Sequence, residues 1–201
     1  MNHVMIKRIT LSFVALFGFS LFSTAVSESK SLKHPVQTGE SLYTISERYG
    51  VSEASIQRLN HLASDQIEAG TTLAIPTAIT AADRELMAQL VYAEARGESY
   101  EGKVAVATVL LNRLDHDDYP DTMYDVIHQV TPSGHYAFSP VLDGAIHNDA
   151  DEESRQAVNE AITYRGLGQQ SIYFYNPVTA TSGWVATREQ TIVIGNHVFA
   201  K

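Results

Sequence analysis

No cysteine occurs anywhere in the chain. Disulfides are therefore excluded, and an exported chain built this way must hold itself together by its core alone. Thiol nucleophiles go with them, which removes one whole route to covalent catalysis. Basic residues are also scarce, with 14 Lys and Arg against 23 Asp and Glu and a formal charge of −9. That balance argues against nucleic acid and anionic membranes as partners, while a neutral polysaccharide stays open. Metal-ligand spacing is missing too. His128, His135, His147 and His197 include no i, i+4 pair, and no H-E-x-x-H occurs. The reading is no metal and no cofactor, with a zinc site assembled from distant residues as the alternative. There is no G-x-S-x-G elbow, no internal repeat, no low-complexity segment and no Gly/Ser-rich spacer.

The one long apolar run lies at the beginning. Residues 1–27 read as a secretory signal peptide, with Lys7 and Arg8 as a basic start, Ile9 to Phe22 as the apolar stretch and Ala25-Val26-Ser27 as a small-x-small cleavage site. The run is short for a membrane span, so membrane attachment is expected only through an uncleaved segment. Cleavage after Ser27 removes two positive charges and no negative ones, taking the formal charge from −9 to −11. The remainder has room for one or two small domains.

Residues 34–76 read as strand, helix, helix, strand, opening at Val36-Gln37. Leu42, Ile45 and Tyr49 fall at i, i+3, i+7 on a helix ended by Gly50. Ser52 is an N-cap for a second helix presenting Ile56 and Leu59. Ala69-Gly70 turns into Thr72-Leu73-Ala74-Ile75, and Pro76 closes the unit. A βααβ module of this size is too small for a catalytic cleft and suits binding. Thr77 to Ala81 is a short linker.

Residues 82–201 follow a different pattern. Leu86 to Glu98 reads as an amphipathic helix with apolar residues at 86, 87, 90, 91 and 93, ending close to Arg96 because Gly97 is a C-terminal stop. Glu94 lies within about 60° of Met87, Leu90 and Val91 on the helical wheel, inside the apolar stripe. A carboxyl held there has its pKa raised and stays protonated near neutrality, as a general acid must. Pattern alone leaves a second reading, in which Glu94 turns to solvent or pairs with Arg96. Gly102 to Leu114 is apolar nearly all round and predicts a buried spine helix. A third helix is expected over 121–130, then a long loop through Phe138-Ser139-Pro140 to Asp143-Gly144, and a fourth helix over 152–164. Residues 171–176 and 191–199 read as short strands with a Gly195-Asn196 turn. The fold class is α+β, mainly helical in this second part.

Two resemblances bear on these readings. His34-Pro35-Val36-Gln37-Thr38-Gly39-Glu40-Ser41-Leu42 through Tyr49-Gly50-Val51, with Asn60 and Gly70…Leu73…Ile75-Pro76, resembles the LysM motif and departs from it at Glu40, where aspartate is usual. The resemblance implies binding of N-acetylglucosamine units of peptidoglycan or chitin, by Gly39, Ser41 and Leu42 on one side and the Ala63 to Ile67 segment on the other. Further on, Val91-Tyr92-Ala93-Glu94-Ala95-Arg96-Gly97-Glu98, Leu111-Asn112-Arg113, Ala137-Phe138-Ser139-Pro140, Tyr173-Phe174-Tyr175-Asn176-Pro177, Ala180-Thr181-Ser182…Trp184 and Ile194-Gly195…His197-Val198-Phe199 are similar to SleB-type spore cortex-lytic and cell wall hydrolases. That resemblance implies a lysozyme-like, lytic-transglycosylase-like domain that cleaves peptidoglycan glycan strands outside the cell, in the wall or spore envelope. By the same resemblance Glu94 is the acid, Glu98 the runner-up, and Phe138, Ser139, Tyr175 and Asn176 line the cleft. Core packing is the competing reading for Phe138, Tyr173 and Trp184.

A single acid sets the expected mechanism. Ordinary glycosidases use two carboxylates, and none stands out beside Glu94 except Glu98 and Asp143. The substrate's own acetamido group or 6-hydroxyl would then complete the displacement at the N-acetylmuramic acid–N-acetylglucosamine bond. The rival readings are an amidase cutting the muramoyl–alanine bond and a non-catalytic wall-binding protein.

Overall fold

The computed structural model describes residues 32–180 and 183–201; the expected signal peptide and the Thr181-Ser182 part of one motif lie outside the described residues. The first unit is β1 (Leu32–Pro35), α1 (Leu42–Tyr49), α2 (Glu53–Leu59) and β2 (Thr72–Ile75), with the two strands antiparallel. The strand starts before the expected Val36-Gln37, because Val36 already leaves the ladder to exchange bonds with the turn: its N–H donates to Thr71 and its carbonyl accepts from Gly70. Ser41 caps α1 by accepting from Thr44 N–H, and Ser52 caps α2 in the same way. Val36, Leu42, Ile45, Ile56, Leu73 and Ile75 make a small core of their own.

Glu40 explains how this unit tolerates its departure from the usual aspartate. Its carboxylate accepts from Gln37 N–H at 2.9 Å, meets His34 Nε2 at 2.7 Å and pairs with Arg48 at 2.7 Å. The longer side chain thereby ties β1 to α1. The Gln37 N–H, then the His34 ring, hold its pKa down at about 2 against the cost of burial.

The second unit packs α3 (Ala81–Ala95), α4 (Tyr100–Asp115) and α7 (Glu152–Thr163) around a larger core of Met87, Leu90, Val91, Val106, Val109, Leu110, Leu111, Val158 and Ala161. Each such Leu, Val or Met buried is worth roughly 1.5–3 kcal/mol against the entropy of ordering it. The α4 pattern required this placement, since a helix apolar on most sides has to be covered on most sides. The three strands β3 (Tyr173–Tyr175), β4 (Gln190–Ile194) and β5 (His197–Ala200) form an antiparallel sheet in the order β3-β5-β4, with Phe199 buried in the same core.

The stretch between differs from expectation. The third helix, α5, covers only Met123–Ile127, because residues 129–137 fold back on themselves. Val130 bridges Tyr136, Thr131 N–H donates to His135, and Ala137 N–H donates to Gln129. The expected loop also contains a short helix, α6 (Ser139–Asp143), with Pro140 in its first turn. Pro at that place loses nothing, since its missing N–H would have no helical partner.

The two units touch. Arg58 of α2 donates to the carbonyls of Thr163 at 3.0 Å and Arg165 at 2.8 Å. Arg165 in turn donates to the Thr77 carbonyl at 2.6 Å and forks onto Asp115. Gly166 allows this approach: its φ is +86°, and a Cβ there would lie 3.0 Å from Arg58 Cβ. Among the described residues no helix is long and apolar enough to cross a membrane.

Candidate active site

The site begins at the last turn of α3. Thr80 caps its start through a reciprocal bond with Asp83, and Met87, Leu90 and Val91 pull its apolar face fully inside. The stripe carries Glu94 with it, so the carboxyl arrives half-buried one residue before the helix ends at Ala95. Burial first, and the negative charge of Asp143 second, push its pKa up to about 7. Two groups act the other way: the nearby backbone N–H of Ser139 and the positive charge of Arg113 both favour the ionised form. A carboxyl balanced in this manner is neutral just below pH 7 and still able to ionise, which suits a group that must give up a proton and take one back.

Arg113 comes from the last turn of α4 and is 6% exposed. Its Nε donates to the Ile172 carbonyl at 2.7 Å, and its guanidinium lies 4.7 Å from the Phe138 ring centre, 5.2 Å from Tyr119 and 5.8 Å from Tyr173. Three ring faces offset part of the cost of burying the charge. Burial still holds the guanidinium below its ordinary pKa, and Tyr119, Tyr173 and Glu94 act to raise it.

The expected site residues separate into groups. Ser139 bears on Glu94 through its backbone N–H rather than its hydroxyl. Phe138 is buried, stacks 6.1 Å from Phe174 and forms the floor under Arg113, so packing and site architecture coincide in it. Tyr175 sits on β3 opposite Val198, and Asn176 closes the turn after it by accepting from Val178 N–H at 2.9 Å. Among the described residues neither makes a hydrogen bond or ring contact with Glu94. Glu98 is engaged elsewhere. It accepts from the N–H and the Nδ2 of Asn196 in the β4–β5 turn; burial pushes it up, but these bonds and neighbouring His197 outweigh that and leave it below the usual carboxylate range. A carboxylate held ionised cannot serve as a proton donor near neutrality.

Arg113 and the Ser139 N–H are the parts that sequence reasoning missed. A buried-helix arginine carried a weak signal in Leu111-Asn112-Arg113; a backbone donor carries none.

In the smaller unit Gly39 has φ +88° with open space about it, Ser41 is the exposed cap of α1, Leu42 is in the core and Ile67 is half-buried against it. Among the described residues no group of three or more His, Asp or Glu side chains is arranged to hold a metal ion.

Residues 97–200, just over half of the chain, match the family model described as Cell Wall Hydrolase, and residues 34–76 match the LysM domain. The chain belongs to the cell wall hydrolase family. It is 45% identical over 127 residues to a spore cortex-lytic enzyme of Oceanobacillus iheyensis, a match that covers 63% of this chain and 44% of the relative. The corresponding enzyme of Bacillus subtilis is 43% identical over 119 residues, covering 59% of this chain and 37% of the relative. The chain thus spans less than half the length of these relatives. Among solved structures, the catalytic domain of the germination-specific lytic transglycosylase SleB from Bacillus anthracis matches at 40% identity with a TM-score of 0.56, covering 63% of this chain and 100% of that one. The Bacillus cereus SleB catalytic domain matches at 40% identity and 0.55, covering 63% and 94%.

Proposed function

We propose that this chain is an exported peptidoglycan glycosidase of the cell wall or spore envelope, working as a lytic transglycosylase with Glu94 as its one acid. Residues 34–76 serve as the wall-binding module, through Gly39, Ser41 and Ile67, with the expected contact Leu42 instead packed in the core beneath them, and residues 82–201 serve as the catalytic domain. The observation that carries the reading is Glu94 itself, a carboxyl at a buried helix end with its pKa raised to about 7. Protonated Glu94 donates to the glycosidic oxygen at the N-acetylmuramic acid–N-acetylglucosamine bond, and the C1–O bond breaks. The substrate's own acetamido group or 6-hydroxyl completes the displacement; ring closure by the 6-hydroxyl on C1, with its proton returned to Glu94, leaves a 1,6-anhydro product and the acid reset. Arg113 and the Ser139 N–H stabilise the carboxylate between those two transfers. Tyr175 and Asn176 line the cleft further out, and Glu98 anchors the β4–β5 turn.

The test is digestion of purified peptidoglycan by the full chain and by Glu94→Gln, with products read by mass spectrometry. Anhydromuramic ends that disappear in the variant support the reading. Newly freed alanine amino groups with intact glycan would instead support an amidase, and no product from either would support a binding protein.

A further inference from the structure

The chain has one tryptophan, and it is not in the core. Trp184 is 54% exposed, on the connection between β3 and β4. A large indole left in water is informative, because burying it is among the larger apolar gains open to a small domain.

This indole is held in place. It meets the Tyr173 ring edge to face, with centroids 5.3 Å apart and planes at 89°. The Arg188 guanidinium lies 4.5 Å from its ring centre and so covers one face. Arg188 is steadied by a 3.1 Å bond to Thr187 Oγ1, and the Thr187 hydroxyl donates back to the Trp184 carbonyl at 2.8 Å. Tyr173 and Arg188 thus hold the indole from two sides while more than half of its surface stays open. An aromatic fixed before its partner arrives loses little freedom on binding, so more of the contact energy appears as affinity.

Trp184 is also joined to the site. The Tyr173 ring that supports it lies 5.8 Å from the Arg113 guanidinium, and Arg113 is the positive charge facing Glu94. A run of contacts therefore leads from Glu94 through Arg113 and Tyr173 to an indole at the surface. A pyranose has an apolar face of C–H groups suited to a flat ring, with hydroxyl and acetamido groups at its rim for a cation beside that ring.

We propose that Trp184, clamped by Tyr173 and Arg188, is a sugar-stacking platform that holds an N-acetylated hexosamine of the glycan strand away from the scissile bond. This rests on the glycosidase reading of Glu94, and the two can fail separately.

The experiment uses the full chain carrying Glu94→Gln, so that glycan binds without being cut. Because Trp184 is the sole tryptophan, its fluorescence reports this one position, and the wall-binding module contributes none of that signal. Titration with peptide-free glycan strands from purified peptidoglycan should give a saturable change in emission. In the wild-type background, Trp184→Ala should raise KM on long strands about tenfold, with kcat falling less, and Trp184→Phe should recover part of the loss. Circular dichroism on both variants checks the fold. Unchanged emission while the same protein still pellets with insoluble wall overturns the platform. A wild-type chain that cuts no glycan, but whose Trp184 emission responds, overturns the glycosidase reading and leaves the platform standing.

Discussion

Glu98 and Asn196 are joined twice: the Asn196 backbone N–H reaches one carboxylate oxygen at 2.9 Å and its Nδ2 reaches the other at 2.9 Å. The residue one turn beyond Glu94 thereby pins the β4–β5 hairpin to the break between α3 and α4. Gly195 is required beside it, since φ is +57° and a Cβ would sit 2.1 Å from Glu98 Oε2. The surroundings thus push two glutamates four residues apart in opposite directions, Glu94 up and Glu98 down.

Gly195→Ala should therefore destabilise the chain by roughly 1–3 kcal/mol, combining left-handed backbone strain with loss of the Glu98 bonds. Glu98→Ala should cost about 1 kcal/mol, because the pair is solvent-accessible. The double variant should fall short of the sum, as both act on one contact. Urea unfolding of the three proteins checks this; full additivity would show that the clamp is idle.

Glu94→Gln should stabilise the protein increasingly as pH rises from about 4.5 to about 7, and by a constant amount above that. The folded pKa, about 7, lies above the ordinary 4.5, so between those values the native state binds more protons than the unfolded one. Stability then falls as pH rises through that window, by at most roughly 3 kcal/mol, and the deficit persists above it. Glutamine removes the fall. Thermal unfolding should show wild type and variant alike near pH 4 and the variant higher at pH 8.5. Equal melting at both pH values would refute the buried-acid description.

Asp143→Asn should move the alkaline limb of the activity profile to lower pH, because the Asp143 charge helps to raise Glu94. Activity below that limb should persist. A dead variant, with wild-type product carrying ordinary reducing ends, would instead make Asp143 the base of a two-carboxylate hydrolysis.

Removing the first 81 residues should leave cleavage of soluble glycan fragments intact while pelleting with insoluble wall is lost. The two separate cores support this division. Equal pelleting of both proteins would assign wall affinity to the larger unit.

The long elements were legible because their periodicity is long. α3, α4 and α7 each carry enough turns for an apolar stripe to stand out, and Ser52, Gly50 and Gly97 marked ends that the chain respects. α6 was not legible, since five residues with Pro140 among them show no period. The end of α5 was missed because bonds between residues 129 and 137 took over the backbone groups that a longer helix would have used. Glu94 stood out as a carboxylate inside an apolar stripe. Asp143 was visible only as a spare carboxylate, and its influence on Glu94 depends on where α6 folds. The Ser139 N–H had no side-chain signature at all.

On the proposed function, the grip of Arg58 on the Thr163 and Arg165 carbonyls, with Gly166 beneath it, bears on how the chain would work on a solid polymer. A loosely tethered anchor lets its cleft wander over every bond within reach of the tether. A docked anchor does not: it concentrates the cleft at bonds a set span from the anchored sugars and withholds it from the others. The junction would then be a ruler, and the spacing of cuts along a strand would be set by a glycine and an arginine at the junction.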